Sequence, residues 1–218
     1  MFVQILRTHW AWTRTILLGF AVLAFMLPVF IWRLASSQLE GAPSALVLME
    51  GFAAIGPVIA SAAIIGAFAL AAYPWGIDHE TKHVYPLSLP ITWTRYVSLR
   101  YAAGGILLLI PAIALWLGAI FAVSLVDLPA VLNAYPGTLA LRFLIAMLLA
   151  YSATFALQYL GGKSAALSAL ILLLAVAIPL FVLSALEQVR ILDAITRMLI
   201  NWPGPLAIFA EPWKLIDV

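Results

Sequence analysis

The 218 residues are 66% hydrophobic and 9% charged, with a formal net charge of +2 and no cysteine, where a typical soluble domain is roughly 45–50% apolar and about 25% charged. A small water-soluble fold cannot hide that much apolar surface, so the composition excludes a soluble catalytic domain and points to an all-α integral membrane protein. Scattered basic residues and a small net charge leave no footprint for nucleic acid, and the lack of cysteine excludes disulfides, thiolate metal sites and cysteine nucleophiles.

In chain order, the first fourteen residues read as an interfacial helix, with Phe2, Ile5, Leu6 and Trp10 on one face and Gln4, Arg7, Thr8 and Arg14 elsewhere. Five segments are long and apolar enough to cross a bilayer: 15–32, 45–73, 101–126, 139–160 and 165–186. Pro28, Pro57, Pro111 and Pro179 lie inside them and are tolerable, because neighbouring helices can satisfy the freed backbone groups. The first run exceeds a signal-peptide core of about 7–15 residues and ends in Arg33, not in a small-x-small cleavage site, so it reads as a retained span.

The second span is rich in small residues, including Gly56 with Ala60 and Ala62 with Gly66 at the spacing that lets helices approach closely. Glu50 sits near its outer end, within reach of headgroup water. With the N-terminus inside, the inner face receives Arg7, Arg14, Lys82, Arg95, Arg100 and Lys163, and the outer loops only Arg33 and Arg142, which favours a cytoplasmic N-terminus. Beyond the fifth span, Val189, Leu192, Ile195 and Leu199 recur at helical spacing, and Asp193 and Arg197 can pair on the wet face. Pro203, Gly204 and Pro205 then break the chain, and 206–210 is too short to span. Residues 187–218 therefore read as a surface or re-entrant segment on the outer side.

Two strings resemble catalytic motifs. His79-Glu80-Thr81-Lys82-His83 matches the zinc pattern in which two histidines one helical turn apart hold the metal and the glutamate acts as general base. Catalytic zinc usually takes three protein ligands, and the third histidine, His9, is remote in sequence; an intramembrane zinc hydrolase using His79, Glu80 and His83 is the alternative reading. Gly162-Lys163-Ser164 echoes a phosphate-binding loop, but Leu157 stands where that loop needs glycine. It reads as a tight hairpin.

The connection between the second and third spans is the informative one. It is the longest inner loop, carries mixed charge and two prolines, and would leave Leu87, Leu89 and Ile91 exposed unless the headgroup layer or a partner covers them. Asp78, Lys82, His83-Val84-Tyr85, Leu87-Ser88-Leu89-Pro90, Arg95-Tyr96 and Arg100-Tyr101 follow an order that resembles the permease subunits of ABC transporters, specifically the type-2 exporter-like family. The resemblance implies a single permease domain over 1–218 in a bacterial-type inner membrane, with a coupling loop at 76–90 and the N-terminal helix as its connecting helix. It implies docking on a separate ATP-binding subunit through Asp78, Glu80, Lys82, His83, Leu87, Leu89 and Ile91, and pairing with a second permease copy or a paralogue. No cofactor is expected in this chain; ATP and Mg would sit on the partner subunit. The family usually has six spans; the sixth is not found in these residues, either lost to truncation or lacking in this branch. A non-catalytic structural membrane subunit is the remaining alternative.

Overall fold

The computed structural model describes residues 1–38, 44–80, 90–126, 132–159, 207–210 and 213–217. The fold is all-α. Helix α1 runs Phe2–Gln38, α2 Ser44–Glu80, α3 Trp93–Leu107, α4 Leu109–Ser124 and α5 Pro136–Tyr159. The short helix α6, Ala207–Ala210, follows far along the chain. Strand β1, Asn133–Ala134, pairs antiparallel with β2, Ile216–Asp217, placing Asn133 opposite Asp217 and Ala134 opposite Ile216.

Four stretches are long and apolar enough to cross a membrane: Phe2–Leu34, Val58–Asp78, Trp93–Ser124 and Pro136–Tyr159. The expected fifth span at 165–186, the segment 187–206 and the loop residues 81–89 lie outside the described residues.

Three expected boundaries are corrected. Residues 2–14 are not a separate interfacial helix, because α1 is one uninterrupted rod of 37 residues. Helix α2 does not stop at Tyr73 but continues to Glu80, so the first part of the expected coupling loop is helical. The third span starts earlier than Tyr101, at Trp93, and breaks once, at Leu108. There Pro111 supplies no N–H for the Leu107 carbonyl, while Leu108 N–H still bonds the Gly104 carbonyl at 3.2 Å and Ala112 N–H the Leu108 carbonyl at 3.4 Å.

The exterior is that of a protein solvated by lipid. Leu18, Val22, Leu23, Met26 and Phe30 of α1 are exposed, as are Ile113, Trp116, Leu117, Ile120 and Phe121 of α4 and Leu141, Ile145 and Leu149 of α5. His9, Thr13, Asp78, Arg100, Thr154 and Gln158 are buried instead. Polar groups inside and branched aliphatics outside minimise free energy only when the solvent is hydrocarbon.

Helix α1 packs against α2, α3 and α4, and Phe20 meets Phe143 of α5 at 6.1 Å between ring centroids. Small residues permit the close approaches. A Cβ on Gly118 of α4 would fall on the Phe25 carbonyl of α1, so the two backbones touch there. Of the expected small-residue pairs of α2, Gly56, Ala60 and Gly66 are buried and Ala62 is half-buried; Ala63 and Ala67 are buried beside them.

Exposed side chains mark the bilayer. On α1 the outward stripe changes from Arg14 to leucine and valine and returns to arginine at Arg33. Those nineteen positions span about 28 Å at the helical rise of ~1.5 Å, matching a hydrocarbon core of about 30 Å. Exposed Tyr73, Tyr101 and Tyr159 sit at the same end as Arg14, and Tyr135 at the other, as aromatic belts do. Beyond the first belt lie residues 2–13, 74–80 and 90–100, the headpiece; Ile5 and Tyr96 form a small core with Ala103, just inside the belt, and Phe2, Leu6, Ile91, Val97 and Leu99 pack against it.

Candidate functional site

The headpiece is held by an ion pair. Asp78, on the last turn of α2, and Arg100, on the second turn of α3, are 0% and 1% exposed, and Arg100 Nη1 donates to Asp78 Oδ2. Helical spacing brings the supporting groups onto the same faces: Trp75 lies one turn before Asp78, and Tyr96 one turn before Arg100. The Tyr96 hydroxyl donates to Asp78 Oδ2 at 3.2 Å and accepts from Arg100 Nη1 at 3.0 Å. The guanidinium carbon of Arg100 is 4.5 Å from the Trp75 ring centroid and 5.7 Å from that of Tyr96.

Aromatic contacts extend this knot to α5. Trp75 meets Trp93 edge-on at 6.4 Å and Phe155 at 5.6 Å, and Tyr101 meets Tyr151 at 5.5 Å and Phe155 at 5.3 Å. Hydroxyls of Tyr101 and Ser152 share a hydrogen bond of 2.6 Å. The Tyr151 hydroxyl rests on the backbone of α3 at Gly104, in space that a Cβ there would need. Ile5 of α1 packs with Tyr96, beside the pair. Four helices thus converge on one charged pair.

Mechanically, this arrangement ties the end of α2 to the beginning of α3. Removing one member of a buried pair leaves an uncompensated charge and costs about 3–5 kcal/mol. A cation over an indole adds roughly 1–2 kcal/mol when desolvated. The connection 81–92 therefore leaves and enters the bundle at two helix ends that cannot separate cheaply.

The structure redistributes the expected docking residues. Asp78 is withdrawn from the docking set, because its carboxylate is fully buried and engaged by Arg100 and Tyr96. Glu80 is exposed at the end of α2. Ile91 is half-buried against the headpiece core and braces α3 instead of facing outward. Lys82, His83, Leu87 and Leu89 lie outside the described residues. In the zinc-like string, His79 occupies the last turn of α2, and its intended partner His83 is again outside.

Sequence reasoning missed Trp75, Tyr96 and Arg100 as site residues. The available signal was an acid and a base, Asp78 and Arg100, at adjoining ends of two apolar spans, since ionisable residues in such places nearly always pair.

The opposite end of the bundle is closed by the C-terminal segment. Arg142, expected in an outer loop, lies on α5 and is half-buried. Its Nε donates to the Ile208 carbonyl at 2.9 Å and its Nη2 to the Ala207 carbonyl at 3.3 Å. Its guanidinium also lies 4.5 Å from the Trp213 ring centroid. Trp213 is 1% exposed, packed over Gly56 of α2 and edge-on to Phe143 at 6.4 Å.

No family model matches the chain, and no solved structure matches it. A protein of Aeromonas hydrophila described as probable potassium transport system protein Kup 1 is 34% identical over 121 residues, covering 52% of this chain and 19% of that protein. The chain thus spans about a fifth of the length of this curated relative.

Proposed function

We propose that the chain is a membrane transport subunit, and more narrowly the permease subunit of an ABC transporter of the type-2 exporter-like kind, driven by a separate ATP-binding subunit. The observation that carries this reading is the buried Asp78–Arg100 pair, which fastens together the two helices bracketing residues 81–92. A docking segment transmits force only if both its ends are anchored in helices that move as one body. The Asp78–Arg100–Tyr96–Trp75 knot supplies such an anchor.

Glu80, Lys82, His83, Leu87 and Leu89 are the proposed contacts to the ATP-binding subunit, while Ile91 and Asp78 hold the frame behind them. ATP and Mg belong to the partner, and the substrate path to the space between two permease copies or paralogues. Similarity to a protein named as a probable potassium transporter supports membrane transport in general.

A second reading, potassium movement, rests on that similarity. It has to find oxygen ligands elsewhere, because the buried carboxylate among the described residues, Asp78, already faces a guanidinium. Potassium uptake in a deficient host tests it directly.

The deciding experiment is mild-detergent purification of the tagged full chain from its native host, with the eluate assayed for ATPase activity. A co-purifying ATP-binding subunit is expected, and Glu80→Arg combined with Leu87→Asp should release it without changing the melting temperature of the permease. A chain that carries no ATPase, or retains one in that variant, overturns the coupling role.

A further inference from the structure

The headpiece presents three arginines to the outside: Arg7 and Arg14 on one face of α1, two turns apart, and Arg95 on α3. Among the described residues none of the three guanidiniums has a hydrogen bond, an ion pair or a ring beneath it. Their depth is set by the bilayer markers. Arg14 stands at the hydrocarbon edge, and Arg7 lies seven positions, about 10 Å, further out along α1. Arg95 lies six positions, about 9 Å, outward of the belt residue Tyr101. The packing of Ile5 with Tyr96 brings those two outer levels together. Each side chain therefore ends in or just above the phosphate layer, and long basic side chains reach back into it readily.

Charge at this end is one-sided. Asp78 is consumed internally by Arg100, leaving exposed Glu80 as the other described carboxylate of the headpiece. At the opposite end, among the described residues, Arg142 is spent on two backbone carbonyls and Trp213, and the exposed basic residues are Arg33 on α1 and Lys214 beside Trp213, two against three. A guanidinium fork fits a phosphate diester bidentately.

We propose that Arg7, Arg14 and Arg95 form a binding surface for anionic phospholipid headgroups, gripping the leaflet on the headpiece side. Attraction to an anionic surface is worth about fivefold in affinity per basic residue, so loss of all three lowers it on the order of a hundredfold. This holds whichever substrate the protein moves.

The test titrates the full chain in neutral detergent with short-chain phosphatidylglycerol, followed by tryptophan fluorescence, against short-chain phosphatidylcholine. Saturable binding of phosphatidylglycerol alone, weakened by salt, is expected. It should be lost in the triple variant Arg7→Gln, Arg14→Gln, Arg95→Gln and kept in Arg33→Gln. A melting curve without lipid checks the fold of the triple variant. If that variant melts early, the single variants Arg7→Gln and Arg95→Gln, each expected to lose about fivefold, decide in its place. Equal response to both lipids, full binding by the variants, or displacement by inorganic phosphate at the same affinity as lipid each overturns the proposal.

Discussion

The guanidinium of Arg100 lies face-on to the Trp75 indole, 4.5 Å from its centroid, while Nη1 reaches past the ring to the carboxylate of Asp78. One side chain of α3 is thereby clamped between an aromatic plane and a carboxylate, both supplied by a single turn of α2. This geometry makes the headpiece a rigid joint and sets the first prediction.

Asp78→Asn and Arg100→Met should each destabilise the protein by about 3–5 kcal/mol, because each strands one buried partner. The double variant Asp78→Leu, Arg100→Met should recover most of that loss, since a well-packed apolar pair replaces a buried ion pair at little net cost. Transport should not recover with it. Melting temperatures in detergent, set beside reconstituted transport, check both halves; a double variant that restores stability and transport together would refute the mechanical role.

At the contact between α1 and α4, Gly118→Ala pushes a methyl group into the Phe25 carbonyl, a backbone atom that cannot rotate away. The helices must part, at about 1–3 kcal/mol. Gly19→Ala on the same α1 has open space around its Cβ and should be neutral or stabilising by up to about 1 kcal/mol, through helix propensity. Fluorescence-detected size-exclusion melts of the two variants should diverge in sign.

Arg142→Ala removes two hydrogen bonds to carbonyls and the cation over Trp213. Hydrogen bonds of this sort contribute about 1 kcal/mol each, so a loss of roughly 2–3 kcal/mol is expected, concentrated on residues 207–217. Hydrogen exchange there should accelerate, while exchange in α2 and α4 stays as in the wild type. Arg142→Lys should rescue only part, since an ammonium keeps the charge but not the planar fork.

The membrane-spanning core was readable because it depends on composition and length alone. The inward face of α2 was equally readable, because small residues at fixed spacing have one efficient use in a bilayer. The end of α2 was not. The apolar run ends at Tyr73 and Gly76 follows, yet a glycine costs a helix only about 1 kcal/mol, less than the burial of Trp75 and the pairing of Asp78 recover by carrying the helix two further turns past Tyr73. The resemblance implies a docking role for Asp78, whereas its partner Arg100 lies twenty-two positions away on another helix. Long-range pairing also hid the role of Arg142, whose acceptors are sixty-five and sixty-six positions downstream. Pattern within a window of sequence cannot register such bonds.

The seat of Trp213 also bears on how the protein comes to be made. Helices α1 to α5 are synthesised before residues 207–217. Until then the hollow at Gly56 lacks Trp213, Arg142 lacks the Ala207 and Ile208 carbonyls, and β1 lacks β2. Among the described residues, the contacts at Gly56, Arg142 and β1 are therefore completed by the part of the chain made last.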